Sequence, residues 1–194
     1  MQLYRKICDV KKKEENMIIT GYQGIGKSTL ANKRPDIIDL ESSCFWKTEN
    51  GVRTRPDDWY VYYCQMAEHL SKRGYIVFVS CHPEVREYLE NHGTEPFCAI
   101  FPVKSIKEDW LKRLYERYRQ SMSDKDLMAY EHAKNHYDED IDRLMYECSY
   151  GIEWYTNAMF IESIDYDLEE MVNHLITYVY DLWMKKIRKE NEQN

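Results

Sequence analysis

The chain has 194 residues, 43% of them hydrophobic and 31% charged, which suits one compact domain around a single core. A formal net charge of −7 argues against broad nucleic-acid binding, which needs a basic face, although it leaves room for a small basic pocket. No stretch approaches the ~18 apolar residues of a membrane span or the apolar run of a signal peptide, and the cysteines are scattered without metal spacing. Reduced thiols in a cytoplasmic protein are expected.

Residues 1–16 carry the charged run Lys11-Lys12-Lys13-Glu14-Glu15 and read as a solvated lead-in, with a short first helix as the alternative. Short apolar runs follow at Met17–Thr20, Ile37–Leu40, Tyr75–Val79, Phe97–Phe101 and Ala158–Ile161, as expected of strands buried on both faces of a parallel sheet. Helical patterns lie between them. One covers 57–72 behind Pro56, and one covers 83–91 between Pro83 and the stop Gly93. A third, 105–121, opens with the capping-box pattern Ser105-Ile106-Lys107-Glu108 and puts Trp110, Leu111, Leu114 and Tyr118 on one face. A fourth covers 124–148, with Tyr137, Ile141, Leu144, Met145 and Cys148 at helical spacing, and a last helix is expected over about 168–187. The alternation predicts one α/β domain over 1–194 with a five-stranded parallel sheet and right-handed crossovers. The connection 103–157 is longer than a crossover requires and holds most of the spare basic residues, so it reads as a helical lid.

Directly after the first strand stands Gly21-Tyr22-Gln23-Gly24-Ile25-Gly26-Lys27-Ser28-Thr29, which satisfies GxxxxGK[ST]. Glycines let successive N–H groups turn inward around phosphate oxygens, and the helix that follows adds free donors and a positive dipole end. Lys27 is expected to reach the β- and γ-phosphates of ATP, and Ser28 to ligate Mg²⁺. Asp39 and Glu41 fall on one side at the end of the second strand, at the edge where such sheets bind ligands. Either can hold the metal through water, or orient and deprotonate an acceptor; capping and loop roles are the alternatives.

The order P-loop, short helix, Asp-x-acid, helix, strand and arginine-bearing lid resembles the small P-loop kinases, the nucleoside monophosphate kinases and their shikimate and gluconate kinase relatives. The resemblance covers residues 17–180 in architecture, with only the P-loop specific in sequence. It implies the three-layer P-loop NTPase fold with strand order 2-3-1-4-5. Asp39-x-Glu41 resembles the Asp-x-Asp of shikimate kinases, which serves metal and acceptor. By the same resemblance Arg113 would lie against the adenine, Arg117 would meet the transferring phosphate, and Arg86 would hold an acceptor phosphate.

Independently of any family, Arg113 and Arg117 at i and i+4 share a helix face, and guanidinium forks suit phosphate oxygens. A solvated face paired to Glu108, Asp109 and Glu116 is the alternative. Residues 41–60, with Phe45, Trp46, Arg53, Arg55 and Trp59, read as the acceptor side, since aromatics can stack on a base and arginines can hold phosphate or carboxylate; the rings can equally be core. Two departures stand against the resemblance: Pro35 shortens the helix after the P-loop, and Val79-Ser80-Cys81-His82 lacks a Walker B Asp.

The expected function is an ATP- and Mg²⁺-dependent phosphotransferase acting on a small molecule, first a nucleoside monophosphate or deoxynucleotide. A hydroxyl on a metabolite, nucleoside or polynucleotide 5′ end is the second acceptor class, and an ATP-binding regulatory switch with a protein partner is the reading outside enzymes. Catalysis would rest on Lys27, Asp39, Arg113 and Arg117, and acceptor binding on Glu41, Arg53, Arg55 and Arg86.

Overall fold

The computed structural model describes residues 16–150 and 158–178, apart from the side chains of Arg53, Ser149 and Tyr150. The charged lead-in 1–15, part of the expected lid, 151–157, and the end of the last expected helix lie outside the described residues. Each apolar run becomes a strand: β1 (Met17–Gly21), β2 (Ile37–Asp39), β5 (Ile76–Val79), β6 (Phe97–Pro102) and β7 (Ala158–Ile161). All neighbouring pairs are parallel. Every residue of β1, β5 and β6 is buried, as strands covered on both faces require.

Two strands were not foreseen. β3 (Lys47–Glu49) and β4 (Val52–Thr54) form a separate antiparallel hairpin. Its turn is Asn50-Gly51, both at positive φ (52° and 78°), which only such residues adopt easily. The sheet order is therefore β2-β5-β1-β6-β7. It is not 2-3-1-4-5 in whole-chain numbering, because the hairpin takes the third and fourth places. Counting only strands of the main sheet, the order is second, third, first, fourth, fifth.

Helices cover both faces: α1 (Lys27–Ala31), α2 (Trp59–Lys72), α3 (Pro83–His92), α4 (Lys107–Ser121), α5 (Asp124–Tyr150) and a helix over 168–178, here α6. α1 is five residues long, as Pro35 demands. The capping box at Ser105 does not form; a 3-10 turn, Lys104–Ile106, leads into α4, whose cap residue Ile106 makes no side-chain bond. Trp110 and Leu114 of α4, with Tyr137, Ile141 and Leu144 of α5, are buried in the common core. Met145, expected on that face, is instead 41% exposed. The Tyr137 hydroxyl donates to the Val103 carbonyl at 2.9 Å, tying α5 to the end of β6. The described part of the expected lid is thus continuous with the domain core. Among the described residues, no helix is long and apolar enough to cross a membrane.

Phe101 sits on β6 between two partner strands, fully buried and edge-to-face on Phe160 at 5.2 Å. Phe101→Ala is expected to lower unfolding free energy by about 3–5 kcal/mol, read from the urea midpoint.

Candidate functional site

The phosphate loop joins β1 to α1 at the carboxyl edge of the central strand. Gly24 and Gly26 take φ of +89° and +95°, where any side chain is strained, the backbone that a loop needs in order to turn N–H groups inward. A loop that turns its N–H groups inward turns its carbonyls outward, and those need partners. Lys27 Nζ donates to the Gly21 carbonyl at 2.7 Å and to that of Tyr22 at 3.4 Å. Trp110 Nε1 of α4 donates to the Gln23 carbonyl at 3.0 Å. The Tyr166 hydroxyl, from the segment before α6, donates to the Ile25 carbonyl at 2.8 Å. Their rings stack at 6.0 Å and 20°, with the Arg113 guanidinium 5.6 Å from one and 5.2 Å from the other. The sequence reading took Trp110 only as core, and nothing local marks Tyr166.

Lys27 bends back onto its own loop, and burial pushes its pKa down against the pull of Asp39 and Glu41. Phosphate oxygens in the loop would favour the charged form and draw the ammonium outward. Ser28 Oγ donates to Asp39 Oδ2 at 2.5 Å, so the two residues expected at a metal do meet. A hydroxyl and a carboxylate beside a phosphate loop are the hard oxygen donors that Mg²⁺ takes, together with water and phosphate. Ser28 and Thr29 are exposed on α1, while Ile25 is buried and anchors the loop from below.

The expected arginines divide. Arg113 lines a cavity of about 370 Å³ with Asp109, Lys112, Glu116, Ile164 and Asp165, between α4 and the segment after β7. Arg117 pairs with Asp126 at 2.8 Å. Burial alone would raise the Asp126 carboxyl, but hydrogen bonds from Ser121 and Ser123 and the Arg117 charge hold it below the usual range. Arg86 corrects the acceptor-side expectation. It is 3% exposed, bidentate on Glu147 of α5 at 2.7 and 2.8 Å, and also bonded to the Cys81 carbonyl. A guanidinium taken out of water must be matched in this way, so Arg86 serves the α3–α5 contact.

Arg55 lies between Trp46 and Trp59, 4.7 and 3.9 Å from their centroids, and pairs with Glu84 at 3.1 Å. It is part of an aromatic wall with Phe45 and Tyr63 rather than an extended phosphate ligand. Arg53 sits in β4 opposite Thr48; its side chain lies outside the described residues. Glu41 accepts an ion pair from Lys125 at the start of α5.

Tyr22, His132 and Asp140, to which the sequence motif assigns no role of their own, meet on the same edge, near His82, which the sequence offers as a phosphate contact or a plain loop histidine. The hydroxyl of Tyr22, inside the phosphate loop, donates to Asp140 Oδ2 at 3.2 Å, and His132 Nε2 meets the same oxygen at 2.8 Å. Ser80 Oγ meets His82 Nδ1 at 2.9 Å on the loop after β5.

No family model matches the sequence, and no curated protein matches it either. Solved structures that resemble it include the following two. One is the tunicamycin resistance protein of Deinococcus radiodurans, at a TM-score of 0.50 and 14% identity, covering 84% of this chain and 95% of that one. The other is an uncharacterized protein from Eubacterium ventriosum, at a TM-score of 0.40 and 15% identity, covering 90% of this chain and 99% of that one. The first likeness shows the fold alone, an α/β domain built on a five-stranded parallel sheet.

Trp110→Phe keeps the packed ring but removes the bond to the Gln23 carbonyl. The expected loss is about 1 kcal/mol in the urea midpoint, with weaker triphosphate binding in the same variant. Affinity equal to wild type would show that the loop holds its shape without this bond.

Proposed function

We propose that this chain transfers the γ-phosphoryl group of ATP to a small molecule. The observation that carries the reading is the Ser28–Asp39 contact beside a loop that holds Gly24 and Gly26 at positive φ just ahead of Lys27. A donor cradle, a hydroxyl–carboxylate pair suited to Mg²⁺ and an acidic sheet edge then lie together, as phosphoryl transfer needs. Ser28 and Asp39 would hold the ion, which neutralises phosphate charge when bound. Lys27 would straighten from the Gly21 carbonyl onto the β- and γ-phosphates. Arg113 fits the donor base over its cavity, and Arg117 would exchange Asp126 for phosphate oxygens.

The acceptor is proposed to be a hydroxyl. Arg86 and Arg55, the residues expected to hold an acceptor phosphate, are engaged with Glu147 and Glu84, and a hydroxyl acceptor does not call on them. In the transfer, the acceptor oxygen bonds to the γ-phosphorus, the bond to the β–γ bridging oxygen breaks, nucleoside diphosphate leaves, and the hydroxyl proton passes to a base. The half-buried rings of Phe45 and Trp46, backed by buried Trp59, form a wall that suits a flat ring on that acceptor, such as a nucleoside. The same wall favours the nucleoside monophosphate reading, which stands second.

The test is ATP consumption with Mg²⁺ across nucleosides, nucleoside monophosphates, small hydroxy acids and tunicamycin, the last because the structural relative is a tunicamycin resistance protein. Stimulation by a hydroxyl compound, abolished in Lys27→Ala, is the expected result. ATP binding without stimulation by any acceptor would favour a regulatory switch.

A further inference from the structure

α5 crosses the carboxyl edge of the sheet with one face turned toward the cleft. Lys125, His132, Asp140 and Glu147 recur at intervals of seven or eight, which keeps them in line along one side of a helix. That line meets Glu41 after β2, then the phosphate loop at Tyr22, then Arg86 on α3. Ala133, Tyr137, Ile141 and Leu144 are buried in the core. His132 therefore stands over the edge that also presents Asp39 and Lys27, while remaining half exposed.

We propose that His132, oriented by Asp140, is the base that takes the proton from the acceptor hydroxyl, an inference that rests on the phosphotransferase reading above. Asp140 Oδ2 accepts from Nε2, which fixes the tautomer and leaves the Nδ1 lone pair for the substrate, the arrangement by which a carboxylate readies an imidazole for proton transfer. The Tyr22 hydroxyl donates to the same oxygen and holds the carboxylate in place. This wires the base to the loop that binds the donor phosphates. Asp39, engaged with Ser28, is then left to the metal. In the step itself, the acceptor O–H bond breaks to Nδ1 as oxygen bonds to the γ-phosphorus, nucleoside diphosphate departs, and the imidazolium later returns its proton to water.

The electrostatics agree with the geometry. The groups facing this pair are His136 on α5, with ring centroids 5.1 Å apart, His82 and Cys81 after β5, Tyr22 from the phosphate loop, and Arg143 one turn along α5. The hydrogen bond to Asp140 lifts the His132 pKa above the ordinary histidine value, with the Asp140 charge adding to it and burial opposing. Burial would raise Asp140, but the His132 contact holds it low. Burial lowers His82, so its ring stays neutral where His132 still titrates. Because catalysis needs the neutral His132 ring, activity should rise with pH through that elevated pKa.

The experiment follows radiolabelled γ-phosphate from Mg-ATP into tunicamycin, into an equimolar pool of nucleosides, and into nucleoside monophosphates, from pH 5.5 to about 9 to bracket the histidine range. Wild type, His132→Ala, Asp140→Asn, His136→Ala and Lys27→Ala are compared, with Mg-ATP affinity measured on each. The expected result is transfer to a hydroxyl compound with an acid limb above the ordinary histidine pKa. His132→Ala should lose about 10²–10⁴-fold in kcat and lose the limb while binding ATP as before. Asp140→Asn should move the limb to lower pH, and His136→Ala should leave it in place. Wild-type transfer to hydroxyls with kcat and acid limb unchanged in His132→Ala overturns the assignment alone. Transfer only to monophosphates overturns the assignment and leaves the phosphotransferase standing. Transfer to none of the probes overturns both.

Discussion

A phosphate loop has a backbone problem before it has a chemical one. To aim several N–H groups at one anion, the chain from Gly21 to Gly26 must turn its carbonyls outward, into a part of the protein where unpaired carbonyls are unfavourable. Much of this structure is arranged around that requirement. Lys27 covers two carbonyls, Trp110 a third, Tyr166 a fourth, and the Leu30 N–H closes on the carbonyl of Gly26 at 3.0 Å. The placement of α4 against the loop, and of the segment before α6, follows from where Trp110 and Tyr166 have to reach.

The same constraint links the two sides of the cleft. Tyr22 belongs to the loop, yet its ring packs edge-on against Tyr137 at 5.8 Å and its hydroxyl ends on Asp140. Its burial pushes the phenol's ionisation far above the ordinary range, so it acts as a fixed donor at any relevant pH. α5 is consequently positioned by the phosphate loop in its middle, by Glu41 at one end and by Arg86 at the other. A helix held at three separated points presents its cleft-facing side in a defined register, and His132 inherits that register.

Much of the fold was legible because its signals are local. Buried parallel strands need uninterrupted apolar runs, and the glycine-lysine pattern of the loop leaves no other conformation. Pro35 correctly set the length of α1. The hairpin at 47–54 was legible too, since Asn50-Gly51 between short extended segments is a strong turn signal, but the aromatic residues around it drew the reading elsewhere. The partners of the arginines were not legible, because spacing on a helix shows which residues share a face but not what the face meets: Arg86 meets Glu147, 61 residues on, and Arg117 meets Asp126 at the start of the next helix. The partners of the loop carbonyls were illegible on the same ground: they depend on tertiary contacts, with no pattern nearby to announce them.

Tyr166 closes onto Ile25 across 141 residues of sequence, and Trp110 onto Gln23 across 87. The motif that is read first along the chain is therefore among the last parts to be completed during synthesis. Until the ribosome has delivered β7 and the segment behind it, the loop has its glycines and its lysine but not the outer bonds that set its curvature. The full shape of the loop is thus a property of late, long-range contacts rather than of the early segment that carries the signature. A nascent or truncated chain ending before Tyr166 would carry the signature of the loop without the bond that closes on Ile25.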